Sequence, residues 1–502
     1  MKKSTHLLIA TILAGCITSC SSGKRIAQHR IVTNPMNLNY RFQPKDESRR
    51  EAADPVLEYF KGYYYLFASK SGGYWRSEDL ADWEYIPCTT IPTLEDYAPT
   101  ILPIGDTLYF TTSSGKTQIF KNAHPEKDTW EAVDTKLTYR LHDPAFYSDE
   151  DGKVYMYWGC SDKDPIMGVE VDPKDGFRAL GEAKALIAHH GDKYGWEVPG
   201  KNNEEPRQGW NEGPCMLKYE GRYYLQYAAP GTQYRIYGDG IYVGDTPLGP
   251  FEYVEDNPFS FKPGGFIGGA GHGHTFQDKY GNYWHVASMI ISVRHMFERR
   301  LGLFPVAVSS RNGIYAHTVW SDYPFYIPNR KVDFDKTDLS MGWNLLSYRK
   351  PVQASSSLAG YEPGNANDEQ IETWWAAQTG KKGEWLQVDL ETPMLVNSIH
   401  VNFADHHFKV FAPHPPVVYQ FFIEGSADGK KWMNLFDERE NGKDEPHRLF
   451  TLDKPMKVRY LRICNAKEMD GCFSLSGNNE MKTLIKGGTL VNKGQSHKGD
   501  LL

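Results

Sequence analysis

The sequence predicts an all-β chain led by a five-bladed propeller, and three observations carry that expectation. An aromatic-rich strand pattern recurs five times, beginning at Gly62, Asp106, Gly152, Gly221 and Gly281 and running on as in Gly62-Tyr63-Tyr64-Tyr65-Leu66-Phe67. Eight or nine positions before each stands a polar or ionisable residue: Asp54, Tyr97, Asp143, Glu212 and His272. The repeats lie roughly forty to seventy residues apart, the spacing of blades that each form one antiparallel unit around a channel. Five equivalent positions then converge on one axis, bringing together acids that the chain separates by more than a hundred residues.

Residues 1–19 read as a signal peptide: Lys2 and Lys3, an apolar run from Leu7 to Ile17, then Ile17-Thr18-Ser19-Cys20. The run is too short to span a membrane. Its end resembles the bacterial lipobox, which implies cleavage before Cys20, a lipid on that thiol and a place in the bacterial cell envelope, with the periplasmic and outer-membrane faces both open. Residues 20–45 are polar and aperiodic, as a spacer would be.

The net charge of -7 leaves no basic footprint for nucleic acid. Aromatics reach 14 %, enough both for sheet packing and for stacking on sugar rings. Beyond Cys16 and Cys20, the cysteines at 88, 160, 215, 464 and 472 are odd in number and widely spaced. They suggest neither a disulfide framework nor a zinc site, and nothing points to a protein partner.

Within 46–330 each repeat opens alike. Asp54-Pro55-Val56, Ala98-Pro99-Thr100, Asp143-Pro144-Ala145 and Gly213-Pro214-Cys215 place proline where an inner strand begins, since proline cannot donate to a ladder. A lone Asp before Pro is a common turn cap. Turn capping does not explain an acid recurring at one offset in three repeats. A longer insertion between Asp164 and Trp210 precedes Glu212 and is expected to wall one side of the pocket, with Trp196 and Trp210 as candidate sugar-stacking residues.

Ala53-Asp54-Pro55, Tyr97-Ala98-Pro99, His142-Asp143-Pro144-Ala145-Phe146, Glu212-Gly213-Pro214 and Gly271-His272-Gly273 together resemble glycoside hydrolase family 43. The resemblance implies an inverting glycosidase with Asp54 as general base, Asp143 tuning and orienting the acid, and Glu212 as general acid. It also implies a sugar-platform role for Tyr97 and a supporting histidine at His272, in relatives often beside a calcium or a water. Arg300, within Arg299-Arg300-Leu301-Gly302-Leu303, is the expected substrate-contacting arginine, and the role of His274 is left open. Such chemistry needs one protonated and one ionised carboxyl on opposite faces of the sugar. Asp143 near Glu212 is expected to hold Glu212 protonated.

After Ile327-Pro328-Asn329 and a linker at 331–338, the pattern restarts. Thr373-Trp374-Trp375, Glu384-Trp385-Leu386-Gln387-Val388-Asp389-Leu390 and Arg459-Tyr460-Leu461-Arg462-Ile463 resemble the discoidin, or coagulation factor 5/8 type C, fold. That resemblance implies a carbohydrate-binding β-sandwich over 339–477, with Trp375 and Trp385 in its framework and a structural calcium near Asp368. The loop His406-His407-Phe408 is nominated for sugar binding. Residues 478–502 lack alternation and are expected to lie outside the sandwich, leaving it one strand short.

The expected function is exo-acting, inverting removal of terminal sugars from plant-type polysaccharide or oligosaccharide, with no required cofactor. α-L-Arabinofuranosidic specificity leads, ahead of β-D-xylosidic and β-D-galactosidic. A non-catalytic glycan-binding lipoprotein is the rival from another class.

Overall fold

The computed structural model describes residues 30–45, 48–309, 313–319, 322–413 and 416–477, and the strand Met481–Leu484. The leader, with Cys20, lies outside the described residues. Among those residues no helix is long and apolar enough to cross a membrane.

Five antiparallel sheets form the propeller. Their inner strands are Ala53–Phe60, Tyr97–Ile104, Ala145–Ser148, Asn211–Tyr219 and Gly268–Gln277, heading blades I to V. Each inner strand packs against the next, and that of blade V packs against that of blade I, so the ring closes. The hairpins follow from turn chemistry. Lys61 and Gly62, like Glu220 and Gly221, both adopt positive φ, the two-residue turn whose twist matches the flanking strands. Blade IV is composite: Cys160–Ser161, between the blade III strands Val154–Trp158 and Ile166–Asp172, pairs with Glu212 and Asn211. That pairing sets Cys160 beside Glu212.

Ring closure uses the segment before blade I. Ile31–Val32 pairs with Phe325–Tyr326, and the Asn34 side chain exchanges hydrogen bonds with the Leu303 backbone at 3.0 and 2.9 Å. The apolar faces of Met36, Leu38 and Tyr40 pack with blades I and V.

The second domain is a sandwich. Its main sheet is built on two long strands, Trp385–Asn402 and His447–Asn465, and a two-stranded sheet joins Trp374–Ala376 to Ser474–Ser476. Trp375 is fully buried, whereas Trp385 is half-buried beneath the Arg462 guanidinium. One expectation needs correction. Met481–Leu484 is part of the main sheet, paired on one side with Trp343–Leu345 and on the other with Ser398–Ile399. The weak alternation of 478–502 hid a short strand that is paired on both sides.

The two domains exchange side chains. Phe42, from the segment before blade I, is buried in the sandwich core, and Ile371 of the sandwich is buried in the core of blades IV and V. Burying each contributes roughly 1.5–3 kcal/mol.

Candidate active site

One backbone device repeats at the mouth of the channel. The residue entering each inner strand has a left-handed conformation: Asp54 at φ 50°, Ala98 at 49°, Asp143 at 50°, Gly213 at 58° and His272 at 45°. Aspartate and histidine tolerate this region better than most residues, and glycine does so freely. At four of the five kinks the exposed N–H is accepted by a side chain. Ser288 takes that of Asp54 at 2.8 Å, Ser69 that of Ala98 at 2.8 Å, Ser113 that of Asp143 at 2.7 Å and Asp239 that of His272 at 2.7 Å.

The equivalence expected from counting is therefore shifted in two blades. Ala98 and Gly213, not Tyr97 and Glu212, match Asp54, Asp143 and His272. Tyr97 and Glu212 stand one residue earlier, opposite Ser113 and Ala228 on their partner strands as Ala53 stands opposite Ser69. The acids thus enter the channel from two different positions of the repeat. Gly213 is required for space as well, since a Cβ there would fall 2.6 Å from the His272 ring.

All three predicted acids are buried. Asp54 accepts from Ser69 Oγ at 2.6 Å and from Arg299 Nη1 at 3.0 Å, with His272 Nδ1 at 3.4 Å. Burial alone would raise its pKa, but Arg299, His272 and Ser69 outweigh it and hold Asp54 below the usual carboxylate range. Glu212 accepts from the Tyr237 hydroxyl at 2.6 Å and from the Cys160 thiol at 3.2 Å. Carboxylate oxygens of Asp143 and Glu212 and the Cys160 sulfur lie within 4.8 Å of one another. Burial pushes Asp143 up to about 7, opposed by His272 and reinforced by the charges of Glu212 and Asp54. Asp143 is thus a carboxyl of raised proton affinity beside the predicted acid.

His272 Nδ1 lies 3.4 Å from Asp54 and 3.7 Å from Asp143. Burial opposes its protonation, but Asp54, Asp143 and Glu212 win and raise its pKa. Its Nδ1 thus faces two carboxylates, the partners an imidazole N–H takes, whereas calcium prefers oxygen ligands. Asp368, the other residue named for calcium, lies in the sandwich. Its oxygens accept from the Gln370 N–H at 3.0 Å and the Thr373 hydroxyl at 2.7 Å, closing its own turn.

Several nominated residues lie elsewhere. Arg300 turns away from the channel and donates from Nε to His447 of the sandwich at 3.0 Å; its neighbour Arg299 is the arginine at Asp54. Successive residues of a strand face opposite sides, so a one-residue difference decides the matter. Trp196 is packed in blade IV against Tyr227 and donates to the Tyr253 hydroxyl at 3.0 Å. Trp210 is 39 % exposed, two residues before Glu212. Tyr97 is half-buried, with Lys70 over its ring at 4.2 Å and Phe297 edge-on at 5.8 Å. His274 faces Glu58 at 3.6 Å, and burial drives the histidine down to about 3 and the acid up to about 8. They meet as a neutral pair at neutral pH, apart from the acids. In the sandwich loop, His406 accepts from Trp374 Nε1 at 3.1 Å and His407 is exposed.

Sequence reasoning missed Arg299, Tyr237, Cys160 and Asp239. Only Arg299 had a signal, its place beside Arg300. The expected insertion between Asp164 and Trp210 is shorter than its sequence suggests, because Ile166–Asp172, Arg178–Ala179 and Lys184–Ile187 are strands of blade III. The remaining loop is anchored by Glu197, fully buried, which accepts from the Tyr227 hydroxyl at 2.5 Å and the His190 N–H at 2.7 Å.

Comparison with known proteins follows this architecture. The model of glycosyl hydrolases family 43 matches residues 48–309, and that of the F5/8 type C domain matches residues 351–476. A β-D-galactofuranosidase of Aspergillus niger is 24 % identical over 234 residues, which cover 40 % of this chain and 62 % of that protein. A solved glycoside hydrolase aligns over 88 % of this chain and 98 % of its own at 19 % identity and TM-score 0.48. A thermostable family-43 glycoside hydrolase aligns over 60 % and 98 % at 21 % identity and TM-score 0.46.

Proposed function

Since the chain belongs to family 43 of the glycosyl hydrolases, we propose that it is an inverting, exo-acting glycosidase of plant-type polysaccharide or oligosaccharide, with α-L-arabinofuranosides as its leading substrates. The observation that carries this reading is the separation of the carboxyl environments. Asp54 is held ionised by Arg299, while Asp143 beside Glu212 is pushed up to about 7. Groups whose surroundings drive their protonation apart supply an acid and a base at one pH.

In this mechanism Asp54 takes a proton from water as the water attacks the anomeric carbon. Glu212 protonates the leaving oxygen, and the carbon inverts. The proton required on the acid side is retained in the Asp143–Glu212 pair, with the Cys160 thiol beside both. Inversion needs roughly 6.5–9.5 Å between base and acid for the water. Asp54 and Glu212 enter from blades I and IV, with blade V between them, whereas Asp143 and Glu212 enter from neighbouring blades. Exo action is supported by the insertion held down at Glu197, and Trp210 is the exposed platform at its end.

Galactofuranosides are the second reading, favoured by the name of the Aspergillus niger relative. Turnover of p-nitrophenyl α-L-arabinofuranoside, β-D-galactofuranoside and β-D-xyloside by the mature protein tests the assignment. Release of long oligosaccharides as first products would sink exo action. Lipidation of Cys20 belongs to the same proposal, and a Cys20→Ala chain should leave the membrane fraction.

A further inference from the structure

Two pairs of neighbouring residues lie between the catalytic centre and the sandwich, and in each pair one side chain faces each way. Glu51 accepts from Arg299 Nη2 at 3.0 Å, and Arg299 Nη1 donates to Asp54 at 3.0 Å and to Thr232 at 2.8 Å. Arg50, one residue before Glu51, points outward and is fully buried. It meets Asp405 and Asp444 of the sandwich at 2.9 Å each and the Tyr419 hydroxyl at 3.0 Å.

Arg300, one residue after Arg299, also points outward. Its Nε donates to His447 Nε2 at 3.0 Å, while His447 Nδ1 lies 2.8 Å from Asn402 Oδ1. With its Nδ1 proton given to Asn402, the imidazole accepts on Nε2, the neutral tautomer that burial favours. Arg300 Nη1 then donates to the carbonyls of Arg50 and Arg299 at 3.0 and 2.9 Å, tying the two pairs to each other. The residues that dock the sandwich are thus covalent neighbours of those that hold Asp54.

We propose that the sandwich is a positioning element of the catalytic centre: by gripping Arg50 and Arg300 it fixes the backbone from which Glu51 and Arg299 hold Asp54. Full turnover then needs the sandwich contacts even for a substrate too small to reach that domain. The inference rests on Asp54 as general base. The groups facing Asp54 are Ser69 of blade I, Asp143 of blade III, Arg299, His272 and the Ser288 hydroxyl of blade V, with Tyr97 and Tyr237 nearby. Of these Arg299 is the permanent cation, so loosening it raises the proton affinity of Asp54.

The test uses the full chain. His447→Ala should lower kcat on a p-nitrophenyl glycoside by roughly 10- to 100-fold, the scale of a small misplacement at a reacting group. KM should change little, and the acid limb of kcat/KM should move to higher pH. His447→Gln, which keeps an acceptor for Arg300, should recover part of both. Arg300→Lys, which keeps the charge but loses the fork, should repeat the alanine result. Arg459→Ala removes the Asp389 pair inside the sandwich and should leave kcat and the pH profile unchanged. Loss of thermal stability in His447→Ala and Arg300→Lys with unaltered kcat and pH profile would overturn the proposal. An active Asp54→Asn chain would instead overturn the base assignment.

Discussion

Blades I and II enter the channel with the same backbone and opposite consequences. Asp54 and Ala98 share a left-handed φ of 50° and 49°, and each gives its N–H to a serine at 2.8 Å. One carries a buried carboxylate bound to Arg299, the other a methyl group. The kink and its serine acceptor therefore belong to the propeller, and chemistry is added by the side chain placed on them. Ser69 joins the two, since its hydroxyl accepts from Ala98 of blade II and donates to Asp54 of blade I.

The largest effect that sharpens this comparison is expected at Glu212, which enters one residue ahead of the kink. Glu212→Gln should lower kcat/KM by about 10²–10⁴-fold on a natural glycoside, the contribution of a general acid. Steady-state rates with a dinitrophenyl leaving group should recover most of that loss, because such a group departs without a proton. Next comes pH. Asp54 must be ionised, and its depressed pKa places the acid limb below the ordinary carboxylate range. The proton near Asp143 is lost at about 7, so kcat/KM should fall as pH rises through that value, read from a pH–rate profile.

Ser69→Ala separates what the serine does for each blade. It should lower stability by about 1–3 kcal/mol through the orphaned Ala98 N–H, measured by denaturant unfolding. It should also move the acid limb upward, because Asp54 loses a donor. Ser113→Ala should cost similar stability without that upward movement. The smallest effect is expected for Ala98→Gly. Relief of left-handed strain, about 1–2 kcal/mol, offsets the loss of one buried methyl, about 0.8 kcal/mol, so the melting temperature and the activity should both stay near those of the parent chain.

Much of this was legible because proline and turn chemistry are local. Asp54-Pro55 and Asp143-Pro144 mark both the strand starts and the acids. Counting erred at Tyr97 and Glu212 because it aligned polar side chains, whereas the backbone aligns Ala98 and Gly213, which precede proline, with Asp54 and Asp143. Arg299 and Arg300 were interchangeable in sequence, since a strand alternates faces and only tertiary contact with His447 decides which one turns inward. Trp196 and Trp210 were equivalent candidates until Tyr253 and Tyr227 claimed the first. Cys160 and Tyr237 carried no motif at all. They reach Glu212 by strand pairing and by a loop, which composition does not encode.

The central claim, that Asp54 activates water instead of attacking the sugar itself, is tested most directly by the configuration of the first product. Proton NMR should be recorded during the first minutes of hydrolysis of the best glycoside from the panel, before mutarotation. The account predicts that the anomer opposite in configuration to the substrate appears first. An initial product that retains the substrate's configuration would contradict it.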